Sequence, residues 1–327
     1  MKINAAIIGS GIGIKHLEAI NKYKKSKVSI LYEKDKSKIP LLKKKYSNIK
    51  VVSSEREIFQ DKKINLVSIA SYDNYHFSQI VKCIKYNKNI IIEKPMCLTL
   101  SQLKKIKFLI KKKPKIRITS NLVLRVNSLF SKLKKKINPK KIFYIEADYI
   151  WGRIHKLYEW RSKIKNYSLT LGAGIHMIDL VMWLLNEKPV SVQAYGNNLG
   201  TKKSKFKKES FILYVFKFPK NIIVKVTANA AGHYRHFHEL KIFQKGQTII
   251  HSLKGTYIFD DKNKEIAIKS SYPDKMNRKK LIQNFIDVLL YGKKPTISFQ
   301  EQIDLMTVCF AADQSLRNKK KININYL

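Results

Sequence analysis

A cluster of glycines near the start of the chain has the spacing of a phosphate-binding turn. It directly follows the apolar run 3–8 and consists of Gly9, Ser10, Gly11, Ile12 and Gly13. Glycine lets a backbone turn tightly and approach a pyrophosphate closely, and the free N–H groups of a following helix favour phosphate. The usual G-x-G-x-x-G spacing puts its last glycine where Ile14 stands here. We predict a dinucleotide-binding turn; the alternative is a glycine-rich β-turn without a ligand.

An acidic residue follows the next apolar run at the distance expected for ribose recognition. Glu33 ends the strand-like segment 27–32, twenty residues after Gly13. A carboxylate there hydrogen-bonds the adenosine ribose hydroxyls and repels a 2′-phosphate, so it favours NAD. Lys34 is the next residue and could instead pair with a 2′-phosphate, so NADP stays open. The alternative is that Glu33 is an ordinary surface residue.

Small polar residues follow a third buried run. The segment 64–70 is apolar, and SYDNYH comes next, with Ser71, Asn74 and His76 in it. Ligands of open α/β sheets bind at the carboxyl ends of the strands. We therefore predict that these three residues border the cofactor. The alternative is that Asn74 caps the following helix, and both roles are compatible.

A lysine stands at the end of a further strand-like run. Residues 89–92 are apolar and lead into Glu93, Lys94 and Pro95. A lysine at the end of a parallel strand can hydrogen-bond a substrate hydroxyl and help its proton to leave, and partial burial lowers the pKa of its ammonium toward the useful range. We expect Glu93 and Lys94 to border the cofactor and Lys94 to contact the substrate. The alternative is a surface lysine before a helix-starting proline.

A histidine and an aspartate share one face of a later apolar helix. In GAGIHMIDLVMWL, which begins at Gly172, His176 and Asp179 are three residues apart. Histidine is the side chain best suited to proton transfer near neutral pH. A histidine on an apolar helix is more often a core residue, but the preceding motifs favour catalysis.

The elements that must position these residues form two domains. In the first 121 residues, strand-like runs at 3–8, 27–32, 64–70, 89–92 and 116–120 alternate with helical patterns. Such alternation predicts right-handed βαβ units around a parallel sheet. The first domain, 1–121, is therefore predicted to be a dinucleotide-binding Rossmann domain in an α/β protein.

The pattern changes in the second domain, 122–327, which we predict to be α+β with a largely antiparallel open sheet. The expected strands are 142–151, 190–196, 209–218, 222–229, 238–244, 247–251 and 256–259. Helices at 126–136, 174–186 and 277–291 are expected to cover one face of this sheet. A last helix, about 300–317, could pack back on the first domain.

Taken together, these motifs resemble the Gfo/Idh/MocA oxidoreductases, the family of glucose–fructose oxidoreductase and inositol dehydrogenase. The resemblance spans nearly the whole chain. It rests on the early glycines with Lys15-His16, on SYDNYH, on NIIIEKPMCLTL at 89–100, on GAGIHMIDLVMWLL at 172–185 and on FAADQSL at 310–316. It implies a Rossmann domain, a second domain on an open antiparallel sheet that often mediates oligomers, and NAD(P)-dependent chemistry on a sugar, cyclitol or nucleotide sugar.

The resemblance also implies roles for individual residues. Lys94 would be the partner of the substrate hydroxyl and His176 the general acid/base. Many members carry an Asp four residues before that histidine, where this chain has Gly172. That Asp helps to bind substrate or orient the histidine, so the departure argues against a simple inositol-dehydrogenase-like site. The predicted substrate-binding residues are Lys94, Arg153, Lys156, Arg161, Gly172, His176 and Asp179.

Two further segments are candidates for substrate contact. In ADYIWGRIHKLYEWR (147–161), Arg153, Lys156 and Arg161 could hold a carboxylate or phosphate, and Trp151 or Tyr158 could stack on a sugar. HYRHFHE (233–239) brings three histidines together on a strand. Its alternating positions lack a clear carboxylate set, so we predict packing or substrate contact and no metal site.

The net charge of +43, from 66 Lys and Arg against 23 Asp and Glu, points less strongly to nucleic acid than its size suggests. High positive charge is typical of proteins that bind nucleic acid or anionic membranes. However, 58 of these cations are Lys, which lacks the bidentate geometry of Arg. We predict a solvated surface, with no specific nucleic-acid partner and no membrane partner.

Other sequence properties restrict the class of protein. The hydrophobic content of 44% excludes wholesale disorder. No run approaches the ~18 apolar residues of a membrane span, and the first residues, MKINAAIIGSG, lack the features of a signal peptide. We therefore expect a cytoplasmic protein. Cys83, Cys97 and Cys309 are widely spaced, which predicts reduced thiols.

The resulting hypothesis is an NAD(P)-dependent oxidoreductase, with NAD favoured, that acts on a sugar or nucleotide sugar, and we expect a role in surface-polysaccharide biosynthesis. One alternative is a glycosidase-like member that retains NAD and uses transient oxidation for elimination. Another is a non-catalytic dinucleotide sensor that acts through a protein partner. An exposed sheet favours a homodimer or homotetramer.

Overall fold

The computed structural model describes residues 2–270, 272–273 and 277–327. The chain divides into two compact units, the first formed by 1–126 and 275–303 and the second by 127–274 and 304–327. Residues 277–303, assigned from the sequence to the second domain, thus group with the first unit. No helix in the described part of the chain is long and apolar enough to cross a membrane.

The strands and helices follow one another in the order expected of a βα-rich first half and a strand-rich second half. The strands are β1 (Ile3–Ile8), β2 (Ser26–Tyr32), β3 (Lys50–Val52), β4 (Leu66–Ile69), β5 (Asn89–Ile92), β6 (Ile118–Ser120), β7 (Ile142–Ile150), β8 (Ser191–Asn197), β9 (Phe211–Lys217), β10 (Ile223–Asn229), β11 (Phe237–Gln244), β12 (Gln247–Ser252), β13 (Gly255–Asp260), β14 (Glu265–Ala267) and β15 (Ile322–Asn323). The helices are α1 (Gly13–Asn21), α2 (Ile39–Lys45), α3 (Arg56–Gln60), α4 (Asp73–Lys85), α5 (Leu100–Lys112), α6 (Ser128–Lys136), α7 (His155–Tyr158), α8 (Ile175–Leu185), α9 (Asn277–Tyr291) and α10 (Phe299–Asn318).

The first unit is built on a parallel six-stranded sheet in the order β3-β2-β1-β4-β5-β6. The central strands β1, β4 and β5 are buried along almost their whole length, which is why they read as continuous apolar runs. This strand order is that of the Rossmann fold, whose ligands lie at the carboxyl ends of the strands. The predicted Rossmann domain is confirmed.

Helix α9 completes the core of the first unit. Its buried Ile282, Phe285 and Ile286 pack in one hydrophobic cluster with Leu17 and Ile20 of α1. The prediction that 277–291 covers the second sheet is therefore wrong. Its apolar positions recur at helical spacing, which shows that one face is buried but does not identify the partner, because helical periodicity carries no information about long-range packing.

The second unit contains a nine-stranded sheet in the order β14-β13-β12-β11-β7-β10-β9-β8-β15. The predicted hairpin between β9 and β10 at Pro219–Asn221 is confirmed. Every pairing is antiparallel except that of β10 with β7, which is parallel. The sheet is therefore mixed and mostly antiparallel, in agreement with the predicted class.

Helix α8 packs against β7 and is apolar on nearly all sides. A helix that is hydrophobic all round is buried all round, and every residue of 169–182 except His176 is buried. The helix is preceded by a π-helical turn at Thr170–Gly174, called the π turn below. Turns of this kind widen a helix locally and occur frequently at functional sites.

Candidate functional site

The glycine turn (residues 9–13) fits a dinucleotide on steric grounds. Gly9 has a φ of +96°, and a Cβ there would lie 2.7 Å from the carbonyl oxygen of Ala70. A Cβ on Gly13 would lie 2.8 Å from Cγ2 of Ile7, so this glycine brings α1 close to β1. Gly11 faces open space, with nothing within 4 Å of its Cβ position. The first and third glycines thus shape the turn, and the second leaves room for a pyrophosphate.

Glu33 connects the end of β2 to the glycine turn. Its carboxylate accepts a hydrogen bond from the backbone N–H of Ser10 at 3.0 Å, another from the Ser10 hydroxyl, and a third from the N–H of Asp35 at 2.8 Å. Burial opposes ionisation of Glu33, but these hydrogen bonds outweigh it and hold the pKa below its ordinary value. A buried, ionised carboxylate therefore lies beside the turn, as ribose recognition requires.

Lys34 points toward α4. Its ammonium lies 2.7 Å from the Tyr75 hydroxyl and 4.7 Å from the centre of the Tyr75 ring. The hydrogen bond from Lys34 lowers the pKa of the phenol, while the same contact raises the pKa of the ammonium. The exposed Lys34 is thus held at the rim of the nucleotide-binding edge rather than against Glu33.

The loop after β4 is fixed by hydrogen bonds. His76 is fully buried, with Nδ1 2.7 Å from the carbonyl oxygen of Pro95 and Nε2 3.1 Å from that of Ser71. The Ser71 hydroxyl donates to the side chain of Gln79 at 2.6 Å. Because α4 begins at Asp73, Asn74 lies inside its first turn and does not cap it, so the capping alternative is wrong. His76 joins the loops after β4 and β5, and Asn74 is exposed to solvent.

An ionic network fixes Glu93 at the end of β5. Its Oε1 lies 3.0 Å from Nε2 of His16, 2.6 Å from Nδ2 of Asn121 and 3.4 Å from Nε of Arg278. The other nitrogen of His16 lies 2.7 Å from the hydroxyl of Ser68. Burial opposes ionisation of Glu93, but its partners hold the pKa far below the ordinary value. These contacts join α1, β4, β6 and α9 at one point.

Lys94 follows directly and is half-buried. Its backbone continues from the fixed Glu93 into a cis peptide bond with Pro95, whose carbonyl oxygen contacts His76. The main chain on both sides of Lys94 is therefore held by buried side chains, which limits the positions that its ammonium can reach.

In the second unit, His176 lies in an aromatic cluster formed by Tyr149, His176, His236 and His238, called the histidine cluster below. The ring of Tyr149 is nearly parallel to that of His176, at an angle of 9° and with centroids 5.8 Å apart. His238 lies edge-on to His176 at 6.3 Å. Burial lowers the pKa values of His236 and His238, and the charge of Arg153 adds to the effect on both. Two neutral imidazoles thus accompany His176.

Gly172 leaves a space that Tyr167 fills. A Cβ on Gly172 would lie 2.0 Å from the Tyr167 hydroxyl oxygen and 2.6 Å from Cζ. Tyr167 is buried, packs edge-on against Phe206 and accepts a hydrogen bond on its carbonyl from Lys208 at 2.8 Å. The phenol therefore takes the place of a side chain at position 172, one turn before His176.

The predicted cations of 147–161 separate into two groups. Arg161 lies 4.1 Å from the ring centre of Trp160 and 5.2 Å from that of Trp151, so it is packed between two indoles. Trp151 is itself buried. Arg153 is exposed and Lys156 half-exposed, and both charges reach His236. Arg153 and Lys156 therefore remain the cations of this segment best placed to meet an anionic ligand.

Asp179 is buried within α8, and its charge acts on the thiol of Cys309. Among the described residues, no group of three or more His, Cys, Asp or Glu side chains could hold a metal ion. His238 instead contacts the Tyr272 hydroxyl through Nδ1, and His236 lies 3.2 Å from the carbonyl of Trp151 through Nδ1. These contacts give the HYRHFHE segment a packing role.

Sequence reasoning missed several residues that support these predicted sites. They are His16 as a partner of Glu93, Asn121, Arg278, Tyr149 and Tyr167. Tyr149 carried a usable signal, because it lies on the same face of β7 as the buried Ile145 and Ala147. The partners of Glu93 come from residues 28 to 185 positions away in sequence, and no local pattern relates them.

Comparison with known proteins agrees with this geometry. Residues 3–121 match an oxidoreductase family described as having an NAD-binding Rossmann fold, GFO_IDH_MocA, and residues 141–257 match the GFO/IDH/MocA C-terminal domain. The uncharacterized oxidoreductase YhhX of Escherichia coli is 26% identical over 56% of this chain and 54% of its own length. An inositol 2-dehydrogenase/D-chiro-inositol 3-dehydrogenase of Lacticaseibacillus casei is 23% identical over 85% of this chain and 81% of its own length. The chain spans about half the length of the first curated relatives it matches.

Solved structures share the fold. A myo-inositol 2-dehydrogenase from Lactobacillus plantarum superimposes with a TM-score of 0.86 at 18% identity, covering 99% of this chain and 100% of that one. A scyllo-inositol dehydrogenase from Lactobacillus casei, crystallised with NAD(H) and scyllo-inositol, gives 0.82 at 16% identity, covering 99% of both chains. The two family matches together cover more than half of the chain. The chain therefore belongs to the GFO/IDH/MocA family of NAD-binding oxidoreductases.

Proposed function

We propose that this chain is a dehydrogenase or reductase that moves hydride between the nicotinamide of NAD and a ring carbon of a sugar or nucleotide sugar. The observation that carries the proposal is the exposure of His176. His176 is partly exposed and every other residue of 169–182 is buried, so this segment presents one accessible polar side chain, and its type is suited to proton transfer.

In this proposal, NAD supplies the hydride acceptor or donor at C4 of its nicotinamide. In the oxidising direction, a ring nitrogen of His176 takes the proton of the substrate hydroxyl. Lys94 donates a hydrogen bond to the substrate oxygen and stabilises its developing negative charge. As the carbonyl forms, the electron pair of the C–H bond would leave as hydride, and bound NAD would supply the acceptor. In the reverse direction, His176 returns the proton.

The ionised Glu33 supports NAD rather than NADP. Its carboxylate would accept hydrogen bonds from the ribose hydroxyls by exchanging its contact with the Ser10 hydroxyl, and its charge would repel a 2′-phosphate. The ammonium of Lys34 contacts the Tyr75 hydroxyl. It is therefore not already placed beside Glu33 to bind a 2′-phosphate.

Arg153 and Lys156 support a substrate that bears a carboxylate or phosphate. Both charges reach the histidine cluster, and Gly172 places no carboxylate one turn before His176. An anionic group would therefore meet two cations without like-charge repulsion from position 172. We propose a uronic acid or a nucleotide sugar as the substrate class, with a role in surface-polysaccharide biosynthesis in the cytoplasm.

The proposal also includes a homodimer or homotetramer built on the second sheet. Its outward face carries a charged row formed by Glu146, Asp148, Lys225 and Lys241, with ammonium–carboxylate distances of 3.2–3.3 Å. Exposed Val215 and Ile223 lie on the two strands that follow β7 in the sheet order. A mixed apolar and ion-paired face of this kind is suited to a self-complementary interface.

The test is a screen of anionic and neutral sugars and nucleotide sugars with NAD, read by the absorbance of the reduced nicotinamide. The substrate that reacts is then tested with Lys94→Ala and His176→Ala. We expect both variants to lose most of kcat, with NAD binding retained in His176→Ala. Undiminished turnover would overturn the proposal. Release of a free sugar without net NADH would favour the glycosidase-like alternative.

A further inference from the structure

A buried chain of hydrogen bonds joins α10 to the π turn. The hydroxyl of Tyr214 donates to Oγ1 of Thr170 at 2.8 Å, and the hydroxyl of Thr170 donates to Oδ1 of Asp313. Tyr214 and Thr170 are fully buried, and Asp313 is 7% exposed. Thr170 is the first residue of the π turn, so the carboxylate of Asp313 holds the turn where it begins.

The same groups define the path of the turn toward His176. The Tyr214 hydroxyl lies 3.1 Å from the Cβ position of Gly174, the last residue of the π turn. The Ser168 hydroxyl accepts a hydrogen bond from the N–H of Leu171 at 3.1 Å. Tyr214 therefore contacts both ends of the turn, and His176 follows only two residues after it. Movement of Thr170 would change the direction in which α8 begins.

Burial of the Asp313 carboxylate lowers the free energy of unfolding. Burial raises the pKa of its carboxyl to about 6, although hydrogen bonds from Thr170 and Ser168 and the charge of Arg317 favour the ionised form. Glu209 repels the carboxylate. The other titratable groups that sense its charge are Lys208, Cys309 and Tyr214. A neutral side chain of the same shape would avoid the desolvation penalty of a buried charge.

We infer that Asp313 is a positioning residue for His176: its carboxylate, through Thr170 and Tyr214, fixes the π turn from which the catalytic helix starts. Asp313 need not touch the substrate. Its charge makes the hydrogen bond from Thr170 stronger than a neutral acceptor would, and so restricts the orientations that the π turn can adopt. This inference rests on the proposed role of His176 as acid/base.

The test compares Asp313→Asn with Asp304→Asn, a control on the same helix. Asp304 is also buried, but its carboxylate is paired with Lys188 at 3.1 Å. We expect Asp313→Asn to lower kcat about tenfold with little change in KM, while its Tm at pH 7 is higher than that of the wild type. We expect Asp304→Asn to keep the wild-type kcat.

If Asp313→Asn does not fold, two Thr170 variants test the same hydrogen bond from the side of its donor. Thr170→Val removes the hydroxyl and should lower kcat, whereas Thr170→Ser retains the hydroxyl and should keep kcat near that of the wild type. An unchanged kcat in Asp313→Asn, whatever its Tm, would overturn the inference and leave Asp313 a purely structural role. If His176→Ala itself keeps full activity, the proposed function fails instead.

Discussion

At the scale of single residues, the missing side chain at position 172 is matched by the position of the Tyr167 phenol. The family resemblance predicts an Asp at the position where this chain has Gly172. The structure shows that this glycine is required here, since the Tyr167 phenol occupies the space of its side chain. The pair could not be found from the sequence, because nothing in the spacing of residues 167 and 172 reveals that the phenol folds back.

This pairing predicts strong coupling between the two positions. We expect Gly172→Ala to lower the free energy of unfolding by about 1–3 kcal/mol, because the new methyl group overpacks against the Tyr167 ring. In a Tyr167→Ala background the same substitution should cost much less. Urea unfolding of the four chains measures the coupling. Equal costs in both backgrounds would contradict the account.

Gly11 is the matched glycine control for that experiment. A Cβ there meets nothing within 4 Å, so Gly11→Ala should leave the free energy of unfolding within about 0.5 kcal/mol of the wild-type value. It should nevertheless weaken NAD binding, because the methyl group enters the space left for the pyrophosphate.

The carboxylate of Glu33 is expected to determine the preference for NAD over NADP. We expect Glu33→Ser to shift the ratio of NADP to NAD affinity at least about tenfold toward NADP, because the substitution removes the charge that repels a 2′-phosphate and leaves Lys34 nearby. Titration of each dinucleotide measures the ratio. The control is Glu57→Ser, since Glu57 is partly exposed and paired only with Lys50 among the described ion pairs. An unchanged ratio in Glu33→Ser would refute the assignment.

Asp313 predicts a pH dependence of stability. Its pKa is about 6 in the folded chain against an ordinary 3.8, so the folded state binds the proton more tightly than the unfolded state. The protonated carboxyl of Asp313 therefore contributes to the free energy of unfolding. This contribution is fully present below the ordinary pKa and is lost as pH rises toward 6. The full loss corresponds to on the order of 3 kcal/mol.

Relative to the wild type, Asp313→Asn should thus gain stability between pH 4 and 6 and keep a constant advantage at higher pH. Urea unfolding across this range, with Asp304→Asn as the control, measures the effect. Parallel pH profiles for the wild type and Asp313→Asn would exclude a raised pKa for Asp313.

At the scale of elements, the local pattern of apolar residues predicts helices and strands well where burial is uniform or strictly periodic. The strands β1, β5 and β7 and the helices α8 and α9 were placed within one or two residues, since their apolar periodicity directly reflects a buried face. The short elements β3, α2 and α3 were missed, because three to seven residues are too few to show a period.

Pairing was harder to predict than the elements themselves. The parallel neighbours β7 and β10 lie about eighty residues apart and are joined through α8 and two other strands, a connection with no local signature. The assignment of α9 to the second sheet failed for the same reason. The network around Glu93 also joins distant segments, and its existence depends on the completed Rossmann sheet.

The placement of α9 predicts where a core substitution acts. Phe285→Ala should lower the free energy of unfolding by about 3–5 kcal/mol, because Phe285 is buried against α1 and β1. Hydrogen exchange should rise in residues 2–126. The matched variant Ile258→Ala, in β13 of the second unit, should raise exchange in the second sheet instead. Increased exchange confined to the second sheet in Phe285→Ala would contradict the assignment.

At the scale of the whole molecule, the charge of +43 does not identify the function. Lys88 and Lys208 donate to backbone carbonyls, and Lys34, Lys82 and Lys134 lie over aromatic rings. The cations are thus distributed over many local contacts. The cations with a proposed functional role are few: Lys94 toward the substrate oxygen, and Arg153 and Lys156 near the histidine cluster.

The family, the fold class and the glycine turn could be predicted from the sequence because each rests on motifs whose own residues are close together in the chain. The supports of the proposed catalytic residues could not, since Glu93, His176 and the π turn depend on partners brought together only by folding. The residues predicted for catalysis, Lys94 and His176, remain proposals that kinetics must test.

The most direct test of the central claim is the rate of NADH formation by wild-type chain and His176→Ala, with NAD and the sugar or nucleotide sugar found in the screen. Loss of the proton acceptor should lower kcat by about 10²–10⁴-fold, while the dissociation constant for NAD stays unchanged. Equal rates for the two chains would contradict the claim that His176 transfers the substrate proton.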